Sequence, residues 1–307
     1  MIQLRRWVNF KTPHSKALRS AIVTGMLSVP ILLYVAAQFS RPPRTNEMRS
    51  LFPGVTYKRQ ASWDPRPNMV HVVTIDLNNP STKPFVSPGL KNPDPKGNEM
   101  SARTVSEFVK EFDVQVAINA NFFSPFREEA PWDFYPRSGE LTNTLGQSTS
   151  DGTTVSPAEF DWSAICFLAQ NRVEIVERGI CPPNTLQAVA GNDLLVKNGR
   201  PVPPPPYLKD DKPYSRTVVA IDQTGKKLWL VLVDGKQFQY SEGMTLAEMT
   251  QFLMKLRVDT ALNLDGGGSV TLAVQTPKGV KVLNAPIQNR IPMRERPVAN
   301  QLGFFVK

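Results

Sequence analysis

The run Asn263-Leu264-Asp265-Gly266-Gly267-Gly268-Ser269 constrains this chain more than any other stretch, because a strand runs out there into three glycines. Side chains on a strand alternate between faces, so Leu262 and Leu264 share one face while Asn263 and Asp265 share the other. Glycine frees the backbone for positive φ and allows close approach to the main chain. Strand-like flanks, 260–264 and 270–274, argue against a flexible linker and for an amide and a carboxylate held at a strand end.

An internal echo strengthens that reading. Residues 101–123 align without a gap on 245–267. In each copy a hydroxyl residue, Ser101 or Thr245, opens an amphipathic helix, and a short β-rich run ends in paired polar groups. These are Asn119 and Asn121 in the first copy, Asn263 and Asp265 in the second. The pattern predicts a duplicated helix–strand unit whose four polar side chains converge on one cleft about an approximate two-fold axis. Strands and helices interleave irregularly, so the expected class is α+β, with mixed sheets and packed helices.

The charge is unevenly placed. Of the net +9, residues 1–50 carry eight basic and one acidic side chain, whereas 51–307 carry 28 basic and 26 acidic. The larger part is nearly neutral, which excludes a basic nucleic-acid face. Residues 1–19 read as a basic cytoplasmic segment and 20–40, uncharged throughout, as a transmembrane anchor with the remainder outside the cytoplasm, periplasmic or extracellular. The alternative is secretion after cleavage of a signal peptide near Ala37. Residues 41–69, rich in Pro and Arg, read as a linker, 80–97 as a long loop, and 70–307 as the functional domain. Cys166 and Cys181 flank a predicted hairpin turn at Gln170-Asn171-Arg172, and in an exported protein they are expected to form a disulfide.

Composition narrows the chemistry. Only two histidines occur, and His14 precedes the anchor, so a histidine-rich metal site is not expected. His71, at a strand start, reads as structural. No nucleotide-binding glycine motif appears, and no cofactor is expected. Carboxylate, amide and arginine chemistry is left, the means by which glycosidic bonds are cleaved and sugars or phosphates bound. Glu248 stands three residues after Thr245 and reads as the partner in a helix capping box. Asp234 ends an apolar strand before Gly235, a setting like that of Asp265, although an Asp-Gly turn explains it equally well. Glu295, between Arg294 and Arg296, reads as a surface ion pair. Arg216 and Arg296 are candidate oxyanion ligands.

Taken in order, Ile118-Asn119-Ala120-Asn121-Phe122-Phe123, Ser215-Arg216-Thr217, Asp234-Gly235, Gly243-Met244-Thr245-Leu246, Asn263 to Ser269 and Glu295-Arg296-Pro297-Val298 resemble the phosphodiester glycosidase domain. That domain is the catalytic part of the uncovering enzyme, N-acetylglucosamine-1-phosphodiester α-N-acetylglucosaminidase, and of exported bacterial relatives. The resemblance runs from about residue 70 to 306. It implies hydrolysis of a sugar-1-phosphodiester, N-acetylglucosamine-like, to free sugar and phosphomonoester. The partners expected are such a phosphodiester or an envelope glycopolymer, with the membrane reached through 20–40. Asp265, Asp234 and Asn263 are the expected catalytic groups. Asn119, Asn121, Arg216, Arg296 and the amides of Gly266, Gly267, Gly268 and Ser269 are the expected substrate ligands. A non-catalytic sugar or sugar-phosphate binding protein of the cell envelope is the alternative.

Overall fold

The computed structural model describes residues 29–92, 97–203 and 211–306. The chain divides into two units, Met1–Ser40 and Arg41–Lys307. Residues 1–28, and with them the basic segment and most of the expected anchor, lie outside the described residues. In the first unit residues 29–39 form a helix. No helix among the described residues is long and apolar enough to cross a membrane.

Two sheets form the frame of the second unit. The larger has eight strands, in the order Glu47–Phe52, Val55–Ser62, Asn68–Asp76, Lys227–Val233, Arg216–Ile221, Thr260–Asn263, Asp193–Lys197 and Arg200–Pro201. A five-stranded sheet runs Gly279–Val282, Leu272–Thr276, Val116–Asn119, Gln301–Phe305 and Lys83–Val86. Alternation decides which side chains face where. Val73, Ile75, Val219, Leu230 and Leu262 of the first sheet meet Val116, Ile118, Leu272, Leu302 and Phe304 of the second in one core. The opposite faces are covered by helices. Helix Leu246–Leu256 lays Leu246, Met249 and Leu253 on Val218, Ala220, Val231 and Ala261. Helix Val105–Phe112 packs Val105, Phe108 and Val109 on Ala117 and Ala273. The result is a helix–sheet–sheet–helix stack, an α+β architecture in which β structure dominates. A second five-stranded sheet, containing Ser163–Phe167 and Gln187–Gly191, adds Ile165, Phe167 and Val189 to the shared core.

The sheets are antiparallel rather than mixed: every pairing between the described strands of these three sheets has that sense. Tight turns cause much of this, as at Asn198 and Gly199, and antiparallel neighbours need only a short connection. The stretch expected as a linker is not structureless, since residues 47–62 supply one edge strand of the large sheet and the strand next to it. Val55, Tyr57 and Arg59 alternate inward, and Arg59 is satisfied by the Glu47 carboxylate at 3.0 Å and the Thr45 carbonyl at 2.9 Å. Within the expected loop 80–97, Lys83–Val86 pairs with Gln301–Phe305.

Both helices carry a complete capping box, Thr104 with Glu107 and Thr245 with Glu248. Thr104, not Ser101, therefore opens the first helix, because only a residue three before a glutamate can exchange both cap hydrogen bonds. Both helices end on left-handed residues at aligned positions, Asp113 (φ 54°) and Arg257 (φ 58°). The strands that follow, Val116–Asn119 and Thr260–Asn263, also align but belong to different sheets.

Cys166 and Cys181 form a disulfide that closes 15 residues of chain and packs against Ala164, Ala188 and Ala190. Its loss removes a loop constraint from the unfolded chain, so Cys166→Ala with Cys181→Ala should lower stability by about 3 kcal/mol. Denaturant unfolding of the double variant measures this, and an unchanged midpoint would assign the bridge no stabilising role.

Candidate active site

Strand Thr260–Asn263 lies between Arg216–Ile221 and Asp193–Lys197, and the site grows from its C-terminal end. Leu262 and Leu264 enter the core, leaving Asn263 on the face that carries helix Leu246–Leu256. The chain then reaches the end of strand Val116–Asn119. The Asp265 N–H donates to the Ala120 carbonyl at 3.0 Å, and Asn119 Nδ2 donates to the Asp265 carbonyl at 2.6 Å. These bonds join the two sheets at the two polar strand ends.

Each glycine that follows has a steric reason. A Cβ at Gly266 would stand 2.6 Å from the Ser215 carbonyl oxygen, and one at Gly268 would stand 2.4 Å from the Arg296 guanidinium. Gly267 has φ +65° and lies under the Tyr214 ring. The loop is thus wedged among three neighbours, and Asp265 is held at the wall of a cleft of about 290 Å³. The lining includes Asn192, Asp193, Asn263, Asp265, Arg216 and Arg296, with Phe122, Phe123, Phe126 and Tyr214 as apolar surface.

Burial raises the Asp265 carboxyl to about 6, against the opposing pull of the Ser269 hydroxyl, Arg296, the Gly266 N–H and Lys236. A carboxylate so placed changes charge near neutral pH, as groups that do acid–base or nucleophilic work often do. Asn263 donates through Nδ2 to Asn192 Oδ1 at 2.9 Å, while its Oδ1 is buried with no hydrogen-bond partner. That buried oxygen is a polar demand, beside the cleft wall, that no described protein group meets.

The two cleft arginines already hold carboxylates. Arg216 reaches Asp211 at 3.3 Å and the Met244 carbonyl at 3.2 Å, and burial lowers its pKa. Arg296 pairs with Glu128, lies over the Phe126 ring and donates to Ser269 Oγ at 3.3 Å. Its Nε is buried without a partner.

Other expected site residues lie elsewhere. Asn119 is fully buried, with Oδ1 accepting from the Thr217 hydroxyl and the Thr271 N–H. Asn121 is fully buried too, donating to the Leu145 carbonyl and accepting from the Ala190 N–H and Asn300. Neither lines the cleft. Their amides satisfy backbone groups where strands meet, a demand that sequence spacing does not reveal. Asp234 is buried inside the core layer, bound by His71, Asn284 and the Ala285 N–H. The glycine-loop amides are largely engaged: Gly266 N–H by the Asp265 carboxylate, Gly267 N–H by the Ser215 carbonyl, and Ser269 N–H by the Gly266 carbonyl. They do not form an open anion nest. Glu295 is no surface ion pair, since it accepts from the Ser106 N–H at the start of helix Val105–Phe112, where burial raises its pKa.

Asn192, Asp193 and Tyr214 lie at the cleft, yet spacing alone did not single them out. One signal was available. Gly191-Asn192-Asp193 repeats the pairing of glycine with an amide and a carboxylate, and a Cβ at Gly191 would stand 2.1 Å from the Asn263 carbonyl oxygen.

The class defined by fold and site is an antiparallel two-sheet domain with an Asn-x-Asp-Gly-Gly-Gly strand end at a cleft, and the comparisons supply the family. Residues 112–305 match the family model described as phosphodiester glycosidase. The chain belongs to the phosphodiester glycosidase family. It is 47% identical over 60 residues to N-acetylglucosamine-1-phosphodiester alpha-N-acetylglucosaminidase of Bos taurus, a match covering 20% of this chain and 11% of the bovine protein. Its fold is shared with the zebrafish enzyme of that name, whose catalytic domain superimposes with a TM-score of 0.54 at 20% identity, over 89% of this chain and 93% of that one. A Synechocystis protein superimposes with a TM-score of 0.60 at 17% identity, over 87% of this chain and 64% of the other.

Proposed function

We propose that the chain hydrolyses the bond between an N-acetylglucosamine-like sugar and the phosphate of a sugar-1-phosphodiester, releasing free sugar and a phosphomonoester, outside the cytoplasm. The observation that carries this reading is a carboxylate raised to about 6 on the wall of a sugar-sized cleft, in a chain of this family. The C1–O bond breaks, water supplies the new hydroxyl, and the phosphate leaves with the bonding electrons. A phosphomonoester has its second pKa near 6, so its departure needs little protonation. The demand falls on the positive charge that develops at the anomeric carbon. Ionised Asp265 supplies the opposing charge there. Asp193, whose Cα is paired with that of Asn263, is the second carboxylate on the cleft wall and takes the place expected of Asp234.

Incubating the full chain with an alkyl N-acetylglucosamine-1-phosphodiester and following both products tests the reading. An ester left intact would overturn it. A pH profile assigns the role of Asp265: an ionised group with a pKa of about 6 gives kcat/KM that falls tenfold per unit below about pH 6. A profile rising on the acid side would make Asp265 a proton donor instead.

A further inference from the structure

Arg216 and Arg296 each hold a carboxylate, so neither presents a free cation to the cleft. Lys236 is different. It is exposed, and among the described residues it makes no ion pair. Its ammonium lies over the ring of Tyr214, 4.3 Å from the centroid, and Tyr214, though not Lys236 itself, lines the cleft. Its charge also acts on the Asp265 carboxylate.

The backbone beneath Lys236 is held firmly. Lys236 has φ 60°, a conformation uncommon for a residue with a side chain, and neighbours on both sides fix it. Before it, a Cβ on Gly235 would stand 2.5 Å from the Ser215 nitrogen, so loop and strand touch. After it, the Gln237 N–H donates to the Ser241 carbonyl at 2.9 Å and Gln237 Nε2 donates to the Ala285 carbonyl at 2.8 Å. The Ser241 hydroxyl closes the loop on the Asp234 carbonyl at 2.6 Å. Strain of this kind, enforced by surrounding contacts, is found at ligand sites more often than elsewhere.

We propose that Lys236 is the phosphate-recognising residue of the cleft, held at its rim by the Tyr214 ring so that the site selects an anionic phosphodiester over a neutral glycoside. The inference rests on the glycosidase reading of the same cleft and adds to it the source of anion selectivity. A lysine donates as a compact, hydrated charge and can follow a phosphate as it leaves, whereas the two arginines are fixed by their partners.

The test uses the full chain with N-acetylglucosamine 1-phosphate and N-acetylglucosamine as calorimetric ligands. Lys236→Gln should weaken binding of the sugar phosphate by roughly 10-fold, as loss of a charged hydrogen bond does. It should leave the affinity for neutral sugar and the melting temperature unchanged. Lys236→Arg keeps the charge and should bind the sugar phosphate within about threefold of the parent. Equal weakening of both ligands, or no weakening of the phosphate, would overturn the inference, as would a parent chain that does not prefer the phosphate. Hydrolysis by the parent is scored separately. A chain that binds the sugar phosphate through Lys236 but never cleaves a phosphodiester would sink the glycosidase reading and leave this one standing.

Discussion

Asp265→Asn should reduce turnover of a sugar-1-phosphodiester by on the order of 10³-fold or more, and should also make the protein more stable at neutral pH. The catalytic half follows from charge. An amide of similar shape fills the same space beside Gly266 and Ser269 but cannot oppose positive charge at the anomeric carbon. The stability half follows from linkage. Asp265 has its pKa raised from 3.8 to about 6 in the folded chain, so the folded state holds the proton more tightly than the unfolded state. Below the unfolded pKa the carboxyl is neutral in both states and costs nothing. As pH rises through the interval between the two values, ionising the folded group becomes a growing penalty, complete above about pH 6. The neutral amide escapes it. The gain at pH 7 should be on the order of 1 kcal/mol, less than the full shift implies because the carboxylate is only partly shielded and the amide satisfies its two donors less well. Melting curves of parent and variant at pH 4 and pH 7 measure the difference. A variant that is no more stable at pH 7 than at pH 4, relative to the parent, would remove the strained carboxylate from the account, and a folded variant with parental rates would remove Asp265 from the chemistry.

Asp234→Ala should act in the opposite way, by destabilising the protein. Asp234 Oδ1 accepts from Asn284 Nδ2 and the Ala285 N–H, both at 3.0 Å, and Oδ2 accepts from His71 Nε2 at 3.0 Å. His71 Nδ1 in turn faces the Tyr57 hydroxyl at 2.8 Å. All four side chains are buried. Deleting the carboxylate leaves three donors in the core without an acceptor, and removing one partner of such a buried cluster costs about 3–5 kcal/mol. Urea unfolding should show that loss. Turnover per folded molecule, measured at low temperature, should fall far less than in Asp265→Asn. Parental stability with lost turnover would return Asp234 to the chemical role that its Asp-Gly setting first suggested.

Asp234 and Asp265 look alike in the sequence because local rules see only a carboxylate leaving a strand before glycine. What separates them is the neighbour each meets. His71 lies 163 residues before Asp234 and Asn284 lies 50 after it, whereas Asp265 faces open volume. The same limit applies to Asn119 and Asn121. Their register with Asn263 and Asp265 was legible, but Asn119 is engaged by Thr217 and Thr271 and Asn121 by Ala190 and Asn300. Residues 47–62 were misread because a run rich in arginine looks solvated until Glu47 is found beside Arg59.

Local chemistry determined a good deal unaided. Thr245 and Glu248 specify a helix start within four residues, and the alternation before the glycines marks Asn263 as the end of a strand. These features depend on neighbours a few residues away, and side-chain periodicity records them directly. Tertiary structure alone decided which polar groups are satisfied inside the protein and which face the cleft. That outcome depends on long-range pairing and on desolvation, and a polar side chain looks the same in sequence whether the protein completes its hydrogen bonds or leaves them for a substrate.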